Sequence, residues 1–570
     1  MEMGALDGSI ENVRGYTIEN IRTWAEETGK TDRPRVLLTS VFGPFARDDE
    51  FGSRKINPME LYHNQVTRAQ GSLSFRKFHD SWGIRMIQAN ISAPSAVLDF
   101  PTKAIFEKEL GDHRYEIVGI SSIIVNVGKV KEMCRIVRRV SPHSKIIVGG
   151  HVAAIAELDK IIDADHIVRG EGIRWMRRYL GEDENAPIVS PPYMRAGHNL
   201  RFMGIPFPNY LTMSGAVIIS SVGCPMGCNF CSTSAFFGGK GKTIDFYKTG
   251  EELFRVMCDA ESAGKMREFS ILDENFLLNR KRAMELLKFM KENGKAWALN
   301  LFSSANAIRQ YSMEELVELG VGSIWIGLES PNSKYPKLEG SDTKKIVKEL
   351  QEHGIKVLGS TIIGLEHHTP KSIKDEIEYA VSHGADLHQF MLYTPIPGTQ
   401  LYKDMEGQNR LLGDVDVADM HGQYKFNFQH RSISRDESKV LLDWAFRRDF
   451  EYNGPSVYRM IRTTLKGWKR YKNHPDQRIR QRIRLEELPL RTVFCASLWA
   501  MERMYKNKDS MLSDRMRELR IEIEKEFGLS SRIFSMFGPI FLWAAKREEE
   551  RLKQGVTYEP PTTIERKNWM

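Results

Sequence analysis

Cysteine is scarce in this sequence, and long apolar runs are missing. Six cysteines in 570 residues are too few for a disulfide-stabilised extracellular scaffold. No window reaches the ~20 apolar residues that a membrane-spanning helix needs, and the first thirty residues carry acids instead of the apolar core of a secretory signal. No Walker-type phosphate loop or Ser-His-Asp order occurs, so nucleotide-triphosphatase and hydrolase chemistry have no anchor. We expect a cytoplasmic protein.

Positive charge is concentrated near the C-terminus. Residues 431–570 hold 30 Lys and Arg against 20 Asp and Glu, which leaves 52 against 54 for residues 1–430. Residues 459–484 alone carry ten basic side chains and one acid, with Trp468 and Tyr471 among them. Such a stretch is either a solvated helix face or a surface for anionic headgroups, phosphates or nucleic acid. One prediction is therefore peripheral membrane association through the basic C-terminal helices; nucleic acid is not expected as a partner.

Three of the six cysteines stand within eight residues, in the run Cys224-Pro-Met-Gly-Cys228-Asn-Phe-Cys231. Gaps of three and two residues let three thiolates converge from one loop on a single metal site. Structural zinc is one alternative, but it needs a fourth ligand, and no fourth cysteine or histidine pair stands at finger-like spacing. A cubane cluster held by three cysteines keeps one iron open to a small molecule.

This spacing, with an aromatic residue before the third cysteine and a strand before the first, resembles that of the radical S-adenosylmethionine superfamily. The resemblance implies that Cys224, Cys228 and Cys231 each ligate one iron of a 4Fe–4S cluster. It also implies that the open iron chelates S-adenosylmethionine. An external electron donor of the flavodoxin or ferredoxin type then drives reductive cleavage to a 5′-deoxyadenosyl radical, which abstracts hydrogen from an unactivated carbon.

Apolar strand-like runs separated by helical patterns fill residues 35–185 and predict a Rossmann-like, doubly wound parallel sheet. Ligands of such sheets bind at the carboxyl ends of the strands. This region resembles the cobalamin-binding domain of the cobalamin-dependent, class B methyltransferase-like branch of the superfamily. The resemblance implies a cobalamin site at Ser121, Ser122, Gly149, Gly150, His151, Gly170, Glu171 and Gly172. The Asp-x-His-x-x-Gly motif that supplies a histidine to cobalt is absent, so cobalamin either binds without a protein imidazole or has been lost.

Six further apolar runs follow a polar linker at residues 186–209. They are residues 215–220, 268–272, 298–303, 323–328, 357–363 and 387–393, with helical patterns between them. Six βα units predict a partial (β/α)6 barrel, the core of the resembled superfamily, over residues 210–425. Residues 1–34 are predicted to form an N-terminal extension, and residues 426–570 an all-α C-terminal domain.

Polar residues follow the predicted barrel strands, where side chains face the site of a barrel. Asp273 and Glu274 end the second strand, although Asp273 is also a candidate helix N-cap. The resemblance implies that these carboxylates hold the methionine amino group of S-adenosylmethionine. It further implies that Ser304, Glu329 and Ser330 contact its ribose and methionine, and that Gly364 lies beside its adenine. No acid–base catalyst is predicted.

The sequence as a whole predicts a radical enzyme that methylates an unactivated carbon of a small-molecule or lipid-like substrate. One alternative keeps the radical step without cobalamin and gives carbon–carbon coupling, cyclisation or rearrangement. Another alternative is a metal-stabilised module that binds nucleic acid or protein. The motifs do not select a substrate.

Overall fold

A computed structural model describes residues 21–45, 49–52, 61–207, 215–329, 335, 338 and 341–569 of the chain. The strands of these residues are, in chain order, β1 (Val36–Thr39), β2 (Arg76–Phe78), β3 (Ser95–Asp99), β4 (Ile117–Ser121), β5 (Lys145–Gly149), β6 (His166–Ile167), β7 (His198–Phe202), β8 (Ile205–Pro206), β9 (Gly215–Ile218), β10 (Ser221–Val222), β11 (Ile244–Asp245), β12 (Glu268–Ile271), β13 (Ala298–Ser303), β14 (Val321–Gly327), β15 (Lys356–Ile363), β16 (Leu387–Leu392) and β17 (Thr563–Lys567).

The α-helices are likewise numbered in chain order. They are α1 (Trp24–Thr28), α2 (Trp82–Ala89), α3 (Lys103–Asp112), α4 (Val127–Val140), α5 (Leu158–Ile161), α6 (Gly172–Tyr179), α7 (Ser232–Phe236), α8 (Gly250–Gly264), α9 (Arg280–Glu292), α10 (Ala305–Ile308), α11 (Met313–Leu319), α12 (Thr343–Glu352), α13 (Ser372–Val381), α14 (Gln400–Gly407), α15 (Arg435–Asn453), α16 (Ser456–Tyr471), α17 (Gln477–Arg484), α18 (Glu487–Arg491), α19 (Val493–Tyr505), α20 (Ser510–Phe527), α21 (Leu529–Ser535) and α22 (Gly538–Lys553).

The first sheet is the predicted doubly wound sheet. Its parallel strands lie in the order β3-β1-β4-β5-β6. Helices α3 and α4 pack on one face, while α2 and α6 pack on the other, so the strands are apolar throughout. Strand order reverses at β1, which has β3 on one side and β4 on the other. Ligands of open α/β sheets bind at the carboxyl ends of the strands beside such a reversal.

A strand that the sequence did not predict completes this sheet. β17, from the extreme C-terminal region, pairs antiparallel with the edge strand β3. The Lys567 ammonium donates hydrogen bonds to the carbonyl oxygens of Gln88, Ala89 and Ile91 at 2.8–3.1 Å, which are orphan acceptors at the end of α2. The C-terminal region is therefore helical up to residue 553 and then returns to the N-terminal sheet.

The second sheet is the predicted partial barrel. Six parallel strands follow one another in the order β9-β12-β13-β14-β15-β16. Each is buried or alternately buried, and the helices between them close the largest apolar core of the described residues. Residues 61–78 leave the first sheet and pack against this barrel, where Val66 and Tyr62 contact Leu358, Leu387 and Trp325. A small antiparallel sheet of β2, β7 and β8 holds that segment.

Several basic residues of the predicted basic stretch form ion pairs with acidic residues of the other C-terminal helices. The guanidinium of Arg459 is fully buried and forms an ion pair with Asp449 at 2.9 Å. Lys469 and Lys472 pair with Glu522 and Glu526 of α20. No helix in the described part of the chain is long and apolar enough to span a bilayer.

Candidate functional site

The three cysteines of the motif lie in one loop at the carboxyl end of the first barrel strand. The loop leaves β9, passes through the short strand β10 and ends where α7 begins after Cys231. Strand β11, which follows α7, pairs antiparallel with β10. Its fold is fixed locally: the Ser234 hydroxyl donates to the Cys224 carbonyl at 2.8 Å, and the Cys231 amide donates to the Cys228 carbonyl at 3.0 Å. Burial and the two neighbouring thiols raise the pKa of Cys224 to about 11. A bound cation is what would hold these sulfurs as thiolates.

The distances between the cysteine sulfurs bear on whether a zinc ion or an iron–sulfur cluster would bind here. Around one zinc ion, bonds of ~2.3 Å in tetrahedral geometry would place sulfurs about 3.8 Å apart. Among the described residues, one set of three potential metal-binding side chains has its ligand atoms within 4.8 Å of one another. This set consists of His367, His368 and Glu376. The three cysteine sulfurs therefore do not all lie within 4.8 Å of one another, as they would around one zinc ion. In the His368 group, the imidazole Nδ1 accepts hydrogen bonds from the amides of Gly364 and Leu365, so it holds the turn after β15.

Asp273 is committed to protein contacts. Its buried carboxylate accepts hydrogen bonds from the amides and hydroxyls of Ser220 and Ser221 at 2.7–3.1 Å and pairs with the buried guanidinium of Arg282. Ser220 and Ser221 are the residues through which the chain enters the cysteine loop. The structure therefore places Asp273 beneath that loop as its anchor, and it does not cap a helix.

Glu274, the next residue, has a carboxylate that is available to a ligand at the end of the second barrel strand. Its Oε2 atom is buried and has no hydrogen-bond partner among the described residues. Burial, with Asp273 next to it, raises the pKa of Glu274 to about 7, and its charge acts on Cys224. A buried acceptor without a partner is costly unless a ligand satisfies it. Glu274 thus fits a cationic group bound beside the cysteine loop.

Asn275 joins the ends of the second and third barrel strands. Its Oδ1 accepts hydrogen bonds from the Ser303 hydroxyl at 2.9 Å and the Ser304 amide at 3.1 Å, while its Nδ2 donates to the Ser304 hydroxyl at 2.9 Å. This network fixes Ser304 beside Glu274 in the strand-end layer. The sequence did not single out Asn275, because the partners that give it a role come from the next βα unit.

Glu329 follows β14 in a strained backbone conformation, with φ at 42° and a side chain that is 3% exposed. It lies just past the end of the fourth barrel strand, at the same carboxyl edge of the sheet from which the cysteine loop leaves β9. Ser330 lies outside the described residues. Gly364 follows β15 with φ at 81°, and a Cβ there would approach the Phe426 ring to 2.2 Å. Only glycine fits that position.

Aromatic residues support the cysteine loop from the far side of the barrel. Phe230, between the second and third cysteines, packs edge-on against Tyr335 at 5.0 Å and near Tyr393 at 6.3 Å. The Asn229 amide group donates to the Tyr393 hydroxyl at 3.1 Å. The loop is thereby tied to β16. The aromatic residue before Cys231 was the sequence signal for this contact.

A cavity of about 560 Å³ opens at the carboxyl edge of the first sheet. All eight residues predicted for cobalamin line it: Ser121, Ser122, Gly149, Gly150, His151, Gly170, Glu171 and Gly172. Gly150 is required by close packing, because a Cβ there would meet the Ser122 carbonyl oxygen at 2.5 Å. Glu171 also caps α6, where its carboxylate accepts hydrogen bonds from the amides of Ile173 and Arg174. The cavity lies in the ~300–1,000 Å³ range of organic ligand sites, and a nucleotide arm fits that range.

The same cavity reaches the cysteine loop. Its remaining wall includes Phe236 and Phe237, which stand five and six residues after Cys231. The His151 ring packs on Phe236 with a centroid separation of 4.8 Å, and burial lowers the pKa of His151 to about 4. Its imidazole is therefore neutral at pH 7. Ser40 and the Asp80–Trp82 turn, which the sequence did not single out, also line the cavity.

Family comparisons agree with this geometry. Residues 218–380 match the Radical SAM superfamily, and residues 77–178 match the B12 binding domain. The chain therefore combines a radical SAM domain with a B12-binding domain that precedes it. It is a radical SAM enzyme whose cofactors are a 4Fe–4S cluster, S-adenosylmethionine and cobalamin. The predicted family, fold class and cofactors are confirmed, whereas the residue assignments and domain boundaries stay predictions.

Known relatives cover most of the chain. An uncharacterized methyltransferase of Pyrococcus horikoshii is 27% identical over 62% of this chain and 84% of its own length. Bacteriochlorophyllide d C-8(2)-methyltransferase of Chlorobaculum tepidum is 23% identical over 76% of this chain and 96% of its own. The radical S-adenosylmethionine methyltransferase TsrM from Kitasatospora setae, solved with cobalamin and a [4Fe–4S] cluster, shares the fold with a TM-score of 0.50. It is 16% identical, and the match covers 80% of this chain and 99% of that one.

Proposed function

We propose that this radical SAM enzyme methylates an unactivated carbon of a small-molecule or lipid-like substrate. The observation that carries the proposal is the shared wall: Phe236 and Phe237 of the cysteine loop's helix close the cavity of the B12-binding sheet. When bound, the cofactors supply hydrogen abstraction and the methyl group, and the protein positions them. A methyl donor next to a radical-forming centre is the arrangement that this reaction needs.

The strand-end residues have distinct parts in this proposal. Glu274 would accept hydrogen bonds from the ammonium of S-adenosylmethionine, because its buried Oε2 lacks a protein partner. Ser304, held by Asn275, and Glu329 would contact the polar groups of the ribose and methionine. Gly364 would leave room for the adenine beside backbone amides. Asp273 would act only through the loop that it anchors.

The first sheet would hold cobalamin by shape and backbone contacts. Gly149, Gly150 and Gly170 keep the strand ends free of side chains, so that a planar or elongated group can approach the backbone. Neutral His151 packs against Phe236 and forms part of the wall. The absent Asp-x-His-x-x-Gly motif fits a cobalamin bound without a protein imidazole.

Apolar substrates are supported by the relatives and by the wall composition. The Chlorobaculum relative is named for a methyl transfer to a bacteriochlorophyllide, a large ring compound. In this chain the wall nearest the cysteine loop is aromatic. The reductant would be an external flavodoxin- or ferredoxin-type protein.

A cavity-filling variant tests the proposal. Ile147 and Gly149 are two residues apart on β5 and both line the cavity, so a side chain at position 149 points the same way. A Cβ at Gly149 has no neighbour closer than 3.9 Å. Gly149→Phe should abolish cobalamin absorbance in the reconstituted protein and leave the iron content unchanged. Gly111→Phe is the matched control, because Gly111 has open space around its Cβ site and lies outside the cavity.

Methyl transfer is read out with methyl-labelled S-adenosylmethionine and cell extracts. We expect labelled product, S-adenosylhomocysteine and 5′-deoxyadenosine from wild type and Gly111→Phe. In Gly149→Phe, labelled product should be lost. Undiminished labelling by a cobalamin-free Gly149→Phe would refute the proposal. Unlabelled product with 5′-deoxyadenosine would instead support coupling or cyclisation, the alternative that the missing cobalt-binding motif leaves open.

A further inference from the structure

Two consecutive helices near the C-terminus leave one apolar face uncovered. Exposed apolar side chains recur every three or four residues from α21 into α22, the spacing of a single helix face. This apolar stripe consists of Leu529, Ile533, Met536, Phe537, Ile540 and Trp543. Met536 is 77% exposed and Trp543 is 61% exposed. Contiguous exposed apolar surface of this kind marks an interaction site.

The stripe is held facing outward by the packing on the opposite side. There the two helices present Ser531, Ser535, Gly538 and Ala545, all buried. A Cβ at Gly538 would approach the Trp499 ring of α19 to 2.4 Å. Because the small residues are already in close contact with α19, the helices cannot rotate to bury the stripe. Its exposure is therefore built into the fold.

All charged side chains along the stripe have the same sign. Residues 528–547 contain Arg532, Lys546 and Arg547 and not one Asp or Glu. All three basic residues are exposed, and none has a carboxylate partner within the part of the chain that the structure describes. The Arg547 guanidinium lies over the Trp543 ring at 5.6 Å. An apolar face with a tryptophan and a wholly basic edge is typical of helices that lie in a lipid interface.

We propose that the apolar stripe and its three basic residues dock the protein on the surface of an anionic lipid bilayer. A two-fold dimer through the stripe would bring these cations near their own copies, and residues 528–547 contain no acid to pair them, which is unfavourable. Anionic headgroups supply the missing negative charge. The enzyme would lie on the membrane with the stripe in the headgroup region. This inference goes beyond the proposed reaction and does not depend on it.

Vesicle flotation of the full-length protein tests the proposal. The probe is a vesicle of equal parts phosphatidylglycerol and phosphatidylcholine, compared with pure phosphatidylcholine at low and high salt. We expect wild type to float with anionic vesicles at low salt, and binding to fall as salt is added. Met536→Ser and Trp543→Ser should each weaken binding about five- to ten-fold. Lys546→Glu should weaken it on anionic vesicles.

Met511→Ser is the matched control for Met536→Ser. Met511 is 75% exposed at the opposite end of α20, so it should leave flotation unchanged. Wild type that stays at the bottom of the gradient with anionic vesicles would overturn the proposal. So would equal binding by Met536→Ser and Met511→Ser. Sedimentation showing a dimer that Trp543→Ser dissociates would also overturn it and assign the stripe to a second copy of the chain.

Discussion

Replacing Asp273 with asparagine separates its anchoring contacts from a direct cofactor contact. The substitution keeps the size and one acceptor oxygen of the side chain, so the Ser220 and Ser221 amides can still be satisfied. It removes the charge that faces the buried Arg282, whose side chain is 3% exposed. The remaining acid near this guanidinium is Asp245, 3.6 Å away and 37% exposed.

The loss of stability in Asp273→Asn follows from the burial of the Arg282 guanidinium. Removing one partner of a buried ion pair leaves the other charge uncompensated, which typically costs about 3–5 kcal/mol. For a domain of 150–250 residues, each kcal/mol shifts the melting temperature by about 2–4 °C. Asp273→Asn should therefore lower the melting temperature of the apo-protein by roughly 6–20 °C. Because Ser220 and Ser221 lead into the cysteine loop, iron incorporation should fall with it.

Asp245→Asn is the matched control, because it removes a half-exposed partner of the same Arg282. Exposed ion pairs contribute about 0–1 kcal/mol, so this variant should melt within a few degrees of wild type and reconstitute fully. The assays are differential scanning fluorimetry of apo-protein and iron per chain after anaerobic reconstitution. An Asp273→Asn protein that melts like wild type but has lost S-adenosylmethionine binding would refute the anchoring role and restore the predicted ligand role.

Three further predictions concern the cluster, the histidines and the C-terminal strand. Cys228→Ala should lose the iron of the ~4-iron cluster and all 5′-deoxyadenosine formation, whereas Cys258→Ala, outside the loop, should keep both. Burial lowers the pKa of His368 and His388 to about 3 and of His383 to about 4. The folded state therefore holds these histidines neutral, which stabilises it fully above pH ~6.5. As the pH falls to 5.5, each histidine should lower the free energy of unfolding by about 1–1.5 kcal/mol. Urea unfolding should show this slope, and His383→Gln should reduce it. Lys567→Ala should destabilise by about 1–2 kcal/mol and expose the β3 edge to aggregation, seen by light scattering.

The sequence allowed the two sheets to be predicted because both consist of buried parallel strands. Such strands are continuous apolar runs, and glycines or polar residues mark their ends. The six barrel runs accordingly fall on β9 and β12–β16. The cysteine loop was equally accessible to prediction, since its three cysteines lie within eight residues. The eight cavity residues were found because strand ends of a parallel sheet meet at one edge.

Long-range contacts set the limit of these predictions. β17 has the polar sequence Thr-Ile-Glu-Arg-Lys and becomes a strand only through its pairing with β3, more than 450 residues away in the chain. The part played by Asp273 depends on Arg282 and on two serines from the preceding βα unit. The break between α21 and α22 lies within what the sequence shows as one helical pattern.

Helix α7 connects the cysteine loop with the cavity of the first sheet. It begins directly after Cys231, so the position of its first turn depends on how the third cysteine is held. Its last residue, Phe236, packs with a tilted ring against His151 just after β5, and Gly150 keeps that strand end in close contact with Ser122. A shift of the cysteine loop would therefore displace the aromatic wall of the cobalamin cavity, because a packed aromatic contact leaves little free space. Packing alone thus links the geometry of the two cofactor sites, without a hydrogen bond between them being required.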